Sequence, residues 1–176
     1  MTEDFHQISA VVTLAIVPAD SEQAAAPTAS IGSPLADRAR GAVARVGRAN
    51  YEVRDALWAT IEALGSLERT VARLERILAL RDLGIELRPE LVQLSAAGLG
   101  LQRRGPWRED QQVRIHLSLD LRDTGQLLTL RGSVQVHAQG AFVRFQDLRP
   151  DESDLLVAFV FQQEAKERRR ALDADH

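Results

Sequence analysis

The feature that most constrains this chain is a run of apolar residues, spaced alternately three and four apart, between residues 34 and 81. Set in heptads, its a positions are Val43, Asn50, Leu57, Leu64, Val71 and Leu78, and its d positions are Val46, Val53, Thr60, Leu67 and Leu74. An ideal straight helix drifts by about 20° per heptad from such a seam. Because the spacing persists for five heptads, it predicts a long helix packed against another long helix.

The length of this helix suggests that its cover comes from another copy of the chain. At about 1.5 Å per residue it would extend roughly 70 Å, which exceeds the diameter of a domain of this size. Alanines at g positions, such as Ala56 and Ala63, widen the apolar face so that it can contact two neighbours. We therefore expect a homo-oligomer, with a tetramer favoured. The alternative is an intramolecular helical hairpin, and Gly47 marks a plausible break.

Composition limits the remaining possibilities. The hydrophobic content of 45% suits a soluble globular chain, and the net charge of −3 provides no overall attraction to nucleic acid or anionic membranes. The absence of cysteine excludes disulfides and thiolate catalysis. The first residues are acidic where a signal peptide is basic, and the apolar run that follows is too short to span a bilayer. We expect a cytoplasmic protein.

Segments on either side of the heptad run predict its boundaries. The β-branched stretch within residues 1–17 predicts a strand that pairs with a distant partner and completes a sheet or barrel. Residues 18–33 are small, polar and proline-containing, as in a flexible linker, and Ser33 offers an N-cap hydroxyl. Gly84 then provides a C-cap for the helix.

The second half of the chain alternates apolar and polar residues, which is typical of strands. The inward faces are predicted from three successive segments: Val113, Ile115, Leu117, Leu119 and Leu121; Leu128, Leu130, Val134 and Val136; and Ala141, Val143 and Phe145. A helix beginning at Pro150 would place Leu155, Leu156, Phe159 and Val160 against the sheet. These elements predict an α+β fold in which a small antiparallel barrel or sandwich carries helices.

The order of elements over residues 85–172 resembles that of a PilZ domain. The resemblance is carried by the stretch Leu91 to Leu101, the Arg-rich turn after it, three alternating strands, a Phe-Val-Arg-Phe segment and the C-terminal helix. It implies a six-stranded antiparallel barrel from a bacterial protein, of a class in which many members bind cyclic di-GMP. The heptad helix would then be an insertion after the first strand, as in oligomeric long-helix variants of the family.

The ligand motifs of that family are present in part. Of the turn motif [D/N]xSxxG, Ser95 and Gly98 match, while Gln93 takes the position of the acid or amide. The spacing RxxxR occurs at Arg69 and Arg73, but within the heptad run. The resemblance thus implies a non-catalytic regulatory or interaction protein that needs no cofactor and has an unidentified protein partner. The alternative is a cyclic di-GMP receptor that uses Ser95 and Gly98 with arginines such as Arg81, Arg88 or Arg103.

Other candidate sites have simpler interpretations. Arg103, Arg104 and Arg108 around Trp107 could stack a base and hold a phosphate, but a solvated loop with one tucked aromatic is the favoured interpretation. His116 and His137 lie on polar strand faces, where solvated histidines are expected in preference to a metal site. No catalytic constellation is visible, so we expect no enzyme activity.

Overall fold

The part of the chain that the structure describes forms a closed antiparallel barrel of six strands that carries three helices. The computed structural model describes residues 7–20, 34–45, 51–103, 105–121 and 124–174. Around the barrel the strands follow the order β1-β2-β3-β6-β5-β4. The elements are β1 (Ile8–Pro18), α1 (Pro34–Arg45), α2 (Tyr51–Asp82), β2 (Arg88–Leu94), β3 (Gly98–Leu101), β4 (Gln112–Leu121), β5 (Thr124–His137), β6 (Gly140–Gln146) and α3 (Pro150–Ala174). The predicted α+β fold, with a long helix inserted after the first strand and a helix at the C-terminus, is confirmed.

The barrel interior is built by the period-two alternation of its strands. On β4 the side chains of Val113, Ile115, Leu117 and Leu119 are at most 1% exposed, as the alternation predicts. β1 closes the barrel by pairing with β2 along one edge and β4 along the other. Every strand therefore has a neighbour on both sides, and the barrel presents no long unpaired edge.

Helix α3 covers the barrel with the side chains that the sequence predicts. Leu156, Phe159 and Val160 join the same buried cluster as the strand interiors. The helix start is fixed by Glu152, whose carboxylate accepts a hydrogen bond of 3.0 Å from the backbone N–H of Arg149. This contact satisfies a backbone donor that the first turn of a helix would otherwise leave unpaired.

The prediction of a single helix from 34 to 81 is wrong over its first third. The backbone N–H of Leu35 lies 3.4 Å from the Glu68 carboxylate, although in one continuous helix residues 33 apart would be separated by about 50 Å. Helix α1 therefore packs antiparallel against α2, and the helical hairpin that was the alternative describes this region. Apolar positions of the first heptads find partners within the chain, since Ala36 on α1 and Ile61 on α2 are both buried.

The C-terminus of α2 is held against the barrel by a cap that the sequence predicts. Gly84 has a φ of 73°, and its N–H donates to the carbonyl of Arg81 while the N–H of Ile85 donates to that of Leu80. These two hydrogen bonds form a Schellman motif, in which the apolar residue after the glycine packs on the last turn. Ile85 and Leu80 do so, in a buried cluster with Val17 and Leu127 on the outer face of the barrel.

His116 is buried, which corrects the prediction of a solvated side chain. It lies on the outer face of β4 and is 0% exposed. Strand alternation predicts which face points out, but the packing of α2 against the neighbouring strand β5 also removes part of this outer face from water. Its Nδ1 lies 3.1 Å from the Thr129 hydroxyl, and Nε2 has no hydrogen-bond partner among the described residues.

Burial and the nearby charge of Arg114 lower the pKa of His116 from 6.5 to about 4. The folded protein therefore binds a proton less readily than the unfolded chain does. Stability should decrease as pH falls below 6.5, and this loss should be complete near pH 4. The lost contribution is about 3 kcal/mol, the free-energy equivalent of the difference between a pKa of 6.5 and one of about 4.

We expect His116→Gln to remove this part of the pH dependence, because glutamine can still bond Thr129 but cannot be protonated. Urea denaturation at several pH values between 4 and 7 would measure it. The control is His137→Gln, which replaces an exposed histidine on the barrel and should retain the acid sensitivity that His116 causes. Equal acid sensitivity of the wild type and His116→Gln would contradict the assignment.

Candidate functional site

An apolar stripe on α2 remains exposed in the single chain. It consists of the a and d residues of the heptad run that lie on this helix: Val53, Leu57, Thr60, Leu64, Leu67, Val71, Leu74 and Leu78. We call it the α2 stripe. Its leucines and valines are between 40% and 61% exposed, although burying such a side chain is worth about 1.5 to 3 kcal/mol. A contiguous apolar surface of this kind marks an interaction site.

The α2 stripe is distinct from the face that α1 covers. Ile61 is buried beside α1, while Leu57 and Leu64 on adjacent turns remain exposed. Val43 on α1 is half-buried, whereas Val46 and Asn50 lie outside the described residues. The hairpin therefore buries one face of α2 and leaves the α2 stripe exposed to solvent.

A third face of α2 is attached to the barrel by two arginines, which we call the arginine latch. The Arg73 guanidinium donates to the Ser118 hydroxyl at 3.0 Å and lies 3.5 Å from the Asp120 carboxylate. Arg76 donates to the carbonyl of Leu127 at 3.1 Å. The RxxxR spacing had marked Arg73 only as a ligand residue. In the sequence, Arg69, Arg73, Arg76 and Leu80 follow one another at intervals of three or four residues and therefore share one helix face. This pattern could have predicted that the face packs against the barrel.

The two motif residues that match the resemblance have internal partners. Ser95 is 1% exposed, and its hydroxyl donates to the carbonyl of Gly98 at 3.3 Å and accepts from the N–H of Ala97 at 3.2 Å. A Cβ at Gly98 would meet the Val143 carbonyl and, at 2.6 Å, the Phe142 ring. Ser95 thus closes the turn between β2 and β3, and Gly98 permits close packing of β3 on β6.

Two of the predicted arginines meet in a cleft of about 560 Å³ beside β1 and β2. Arg88 and Arg103 line it together with Trp107. Each arginine has an acidic partner there: Arg88 bonds Glu86 at 2.6 Å, and Arg103 pairs with Glu90. The Glu86 carboxylate also raises the pKa of Arg88. Because both guanidiniums already have a carboxylate, they are poorly suited to hold a phosphate.

The six predicted nucleotide-site residues do not converge on one place. Gln93 points outward from β2 into a different cleft, whereas Arg88 and Arg103 share the cleft beside β1. Arg81 is exposed in the last turn of α2 and lines neither cleft. The described residues also bring together no group of three or more His, Asp or Glu side chains that could hold a metal ion.

The six-stranded barrel, the helical insertion after its first strand and the C-terminal helix match the arrangement that the resemblance to a PilZ domain implies. No family model matches the sequence, and no curated protein matches it. Among solved structures it is similar to a tetrameric PilZ domain protein from Xanthomonas campestris, described as pathogenic and as self-assembled through an unusual helical bundle. The two share 15% sequence identity with a TM-score of 0.57, over 95% of this chain and 92% of that one. The similarity shows a PilZ-like fold.

No described helix has the length and apolar character needed to cross a membrane.

The packing role of Gly98 can be tested with a matched pair of glycine variants. Gly98→Ala should destabilise the protein by about 2 kcal/mol, because the backbone of β6 must move to accept the methyl group. Gly100→Ala on the same strand should be tolerated, since its Cβ would meet no atom closer than 3.4 Å. Chemical denaturation measures both, and equal stabilities would contradict this role.

Proposed function

We propose that this chain is a non-catalytic PilZ-like regulatory or interaction protein that self-associates through the α2 stripe. The observation that carries the proposal is the exposure of a heptad seam from Val53 to Leu78 on a long helix whose other two faces are covered by α1 and the barrel. A heptad seam fits another heptad seam, and a second copy of the chain supplies one with matching length and phase.

A tetramer is the favoured assembly. Ala56 and Ala63 occupy exposed g positions beside the stripe, so that small side chains extend the apolar surface to one side. A surface widened in this way can contact two neighbouring helices instead of one. The Xanthomonas campestris protein, described as tetrameric and as self-assembled via an unusual helical bundle, supports the same kind of assembly for this chain.

In this proposal different segments of the chain have different roles. Residues 34–81 form the assembly unit, while residues 85–172 and the strand within 1–17 form a barrel that is presented to a protein partner. Residues 18–33 would link the first strand to the helices, and most of them lie outside the described part of the chain. We propose a cytoplasmic location, with neither nucleic acid nor membrane insertion required.

We further propose that the chain does not bind cyclic di-GMP through the usual motifs. Arg73 is engaged with Ser118 and Asp120, and Ser95 with its own turn, so neither is available to a ligand in this conformation. The alternative function, a cyclic di-GMP receptor with a non-standard site, is favoured by one observation. Arg88, Arg103 and Trp107 do share a cleft, and a ligand there would have to displace Glu86 and Glu90.

Leu64→Arg should disrupt the assembly, because it places a charge at the centre of the α2 stripe. Native mass spectrometry at micromolar concentration should give a tetramer for the wild type and a monomer for the variant. The control is Ala59→Arg, which adds the same side chain at an exposed position of α2 outside the stripe. Circular dichroism checks that both variants fold. A monomeric wild type, or a Leu64→Arg variant of unaltered mass, would refute self-association through the stripe.

Isothermal titration calorimetry with cyclic di-GMP at about 100 μM should show no heat of binding for the wild type, because the ligand would have to displace Glu86 and Glu90 from the two arginines. We expect its dissociation constant to be millimolar or weaker, which corresponds to a binding free energy of only about 4 kcal/mol. Binding that is abolished by Arg103→Ala would instead establish the receptor function. Glu90→Gln tests the reason for the expected result, because it removes the acidic partner of Arg103. An increase in affinity in this variant would show that ion pairing suppresses the site.

A further inference from the structure

Four residues on neighbouring strands form a row across the outer face of the barrel. Strand pairing aligns Gln93 with Gly100, Gly100 with Phe142, and Phe142 with Gln135. With about 4.8 Å between neighbouring strands, the two glutamines at the ends are roughly 14 Å apart. The row lies in a cleft of about 680 Å³, which we call the glutamine cleft because Gln102 and Gln139 also line it.

Glycines give this cleft its shape. Gly100 leaves a gap in the row between Gln93 and Phe142, and the amide oxygen of Gln93 leans over it, 3.6 Å from where a Cβ would lie. The ring of Phe142 extends over Gly98, with its Cζ atom 2.6 Å from where a Cβ of that glycine would lie. Phe142 is half-buried, so its ring is held in place and still partly accessible. The cleft therefore has a fixed aromatic ring with amide groups on both sides.

The lining is polar, and His137 is the titratable side chain among its described residues. None of the described residues that line the cleft is an Asp, Glu, Lys or Arg. The side-chain amides of Gln93, Gln102, Gln135 and Gln139 make no hydrogen bond to the described residues. Each amide offers two N–H donors and one carbonyl acceptor. The cleft thus presents donors and acceptors together around an apolar surface, in contrast to the ion-paired cleft beside β1.

We propose that the glutamine cleft binds a neutral saccharide. The apolar C–H face of a sugar ring can pack on Phe142, as ligands pack on aromatic side chains in other sites. Sugar hydroxyls both donate and accept hydrogen bonds, which matches the dual character of the glutamine amides. The separation of Gln93 from Gln135 along the row suits a chain of a few sugar units.

Other ligand classes fit the cleft less well. A nucleotide phosphate would find no Lys or Arg among the described lining residues, and so none of the ammonium or guanidinium groups that usually hold a phosphate. Addition of a peptide strand needs an unpaired edge, whereas β3 and β6 are paired on both sides. The assignment is independent of self-association, since no stripe residue lines the cleft.

Saturation-transfer difference NMR on the full-length protein tests the assignment with cellotriose, maltotriose and triacetylchitotriose as probes. At least one trisaccharide should receive saturation, most strongly at its ring C–H protons. Gln135→Ala should weaken that binding by about tenfold, the effect of losing one or two hydrogen bonds. Gln112→Ala changes an exposed glutamine of the same barrel outside the cleft and should bind as the wild type does.

A second variant separates loss of binding from loss of folding. Phe142→Leu keeps an apolar side chain over Gly98 and should preserve the fold while reducing saturation transfer to the C–H face. Three outcomes would overturn the proposal: no transfer to any of the three trisaccharides, equal affinity of Gln135→Ala and the wild type, or binding of adenosine monophosphate at the cleft when the saccharides do not bind.

Discussion

The docking of α2 onto the outer face of the barrel is the interaction on which the rest of the structure depends. It combines a small apolar cluster, in which Leu80 and Ile85 meet Val17 and Leu127, with the hydrogen bonds of Arg73 and Arg76 to β4 and β5. The apolar contacts contribute non-directional burial, whereas the arginines select one orientation because a misplaced guanidinium would lose its partners. The docked helix packs on β5, the strand that pairs with β4 beside the buried His116, and the docking determines which face of α2 is turned away from the barrel.

The topology explains why so long an insertion can be accommodated. β1 and β2 are antiparallel neighbours, so the chain leaves the barrel at Pro18 and returns near Arg88 at the same end. The ends of the insertion are thus already close together, and lengthening a connection adds only slowly to the entropy cost of folding. An inserted helical hairpin can extend from this end without disturbing the strand pairing, while its heptad seam stays exposed.

Periodicity predicts this fold well where the burial of a residue depends only on the face of its own strand or helix. The alternation in β4 gives the barrel interior correctly, and the heptad phase identifies the residues of the α2 stripe that remain exposed. The phase alone could not decide whether the first heptads pack within the chain, because an apolar position accepts a partner from either source. Nor could alternation reveal that a residue on the outer face of a strand, such as His116, is buried in the folded chain.

The motif residues illustrate a different limit. A match at Ser95 and Gly98 is the same whether the residues bind a ligand or pack a turn, and only the contacts distinguish the two. The row from Gln93 to Gln135 is invisible in the sequence because it depends on the pairing of β3 with β6, which are not consecutive strands. Sequence patterns of period two assign faces to strands, but they do not assign the order of strands around a barrel.

The double attachment of α2, through its Schellman cap and the arginine latch, has a consequence for avidity. A barrel on a flexible tether samples many orientations, whereas a barrel held at two points keeps a fixed angle to the helix axis. In the proposed assembly, the symmetry of the bundle would then set the distances between equivalent surfaces on different copies. A partner with repeated units at matching distances would gain effective concentration from its second contact onward, and one with another spacing would gain almost nothing.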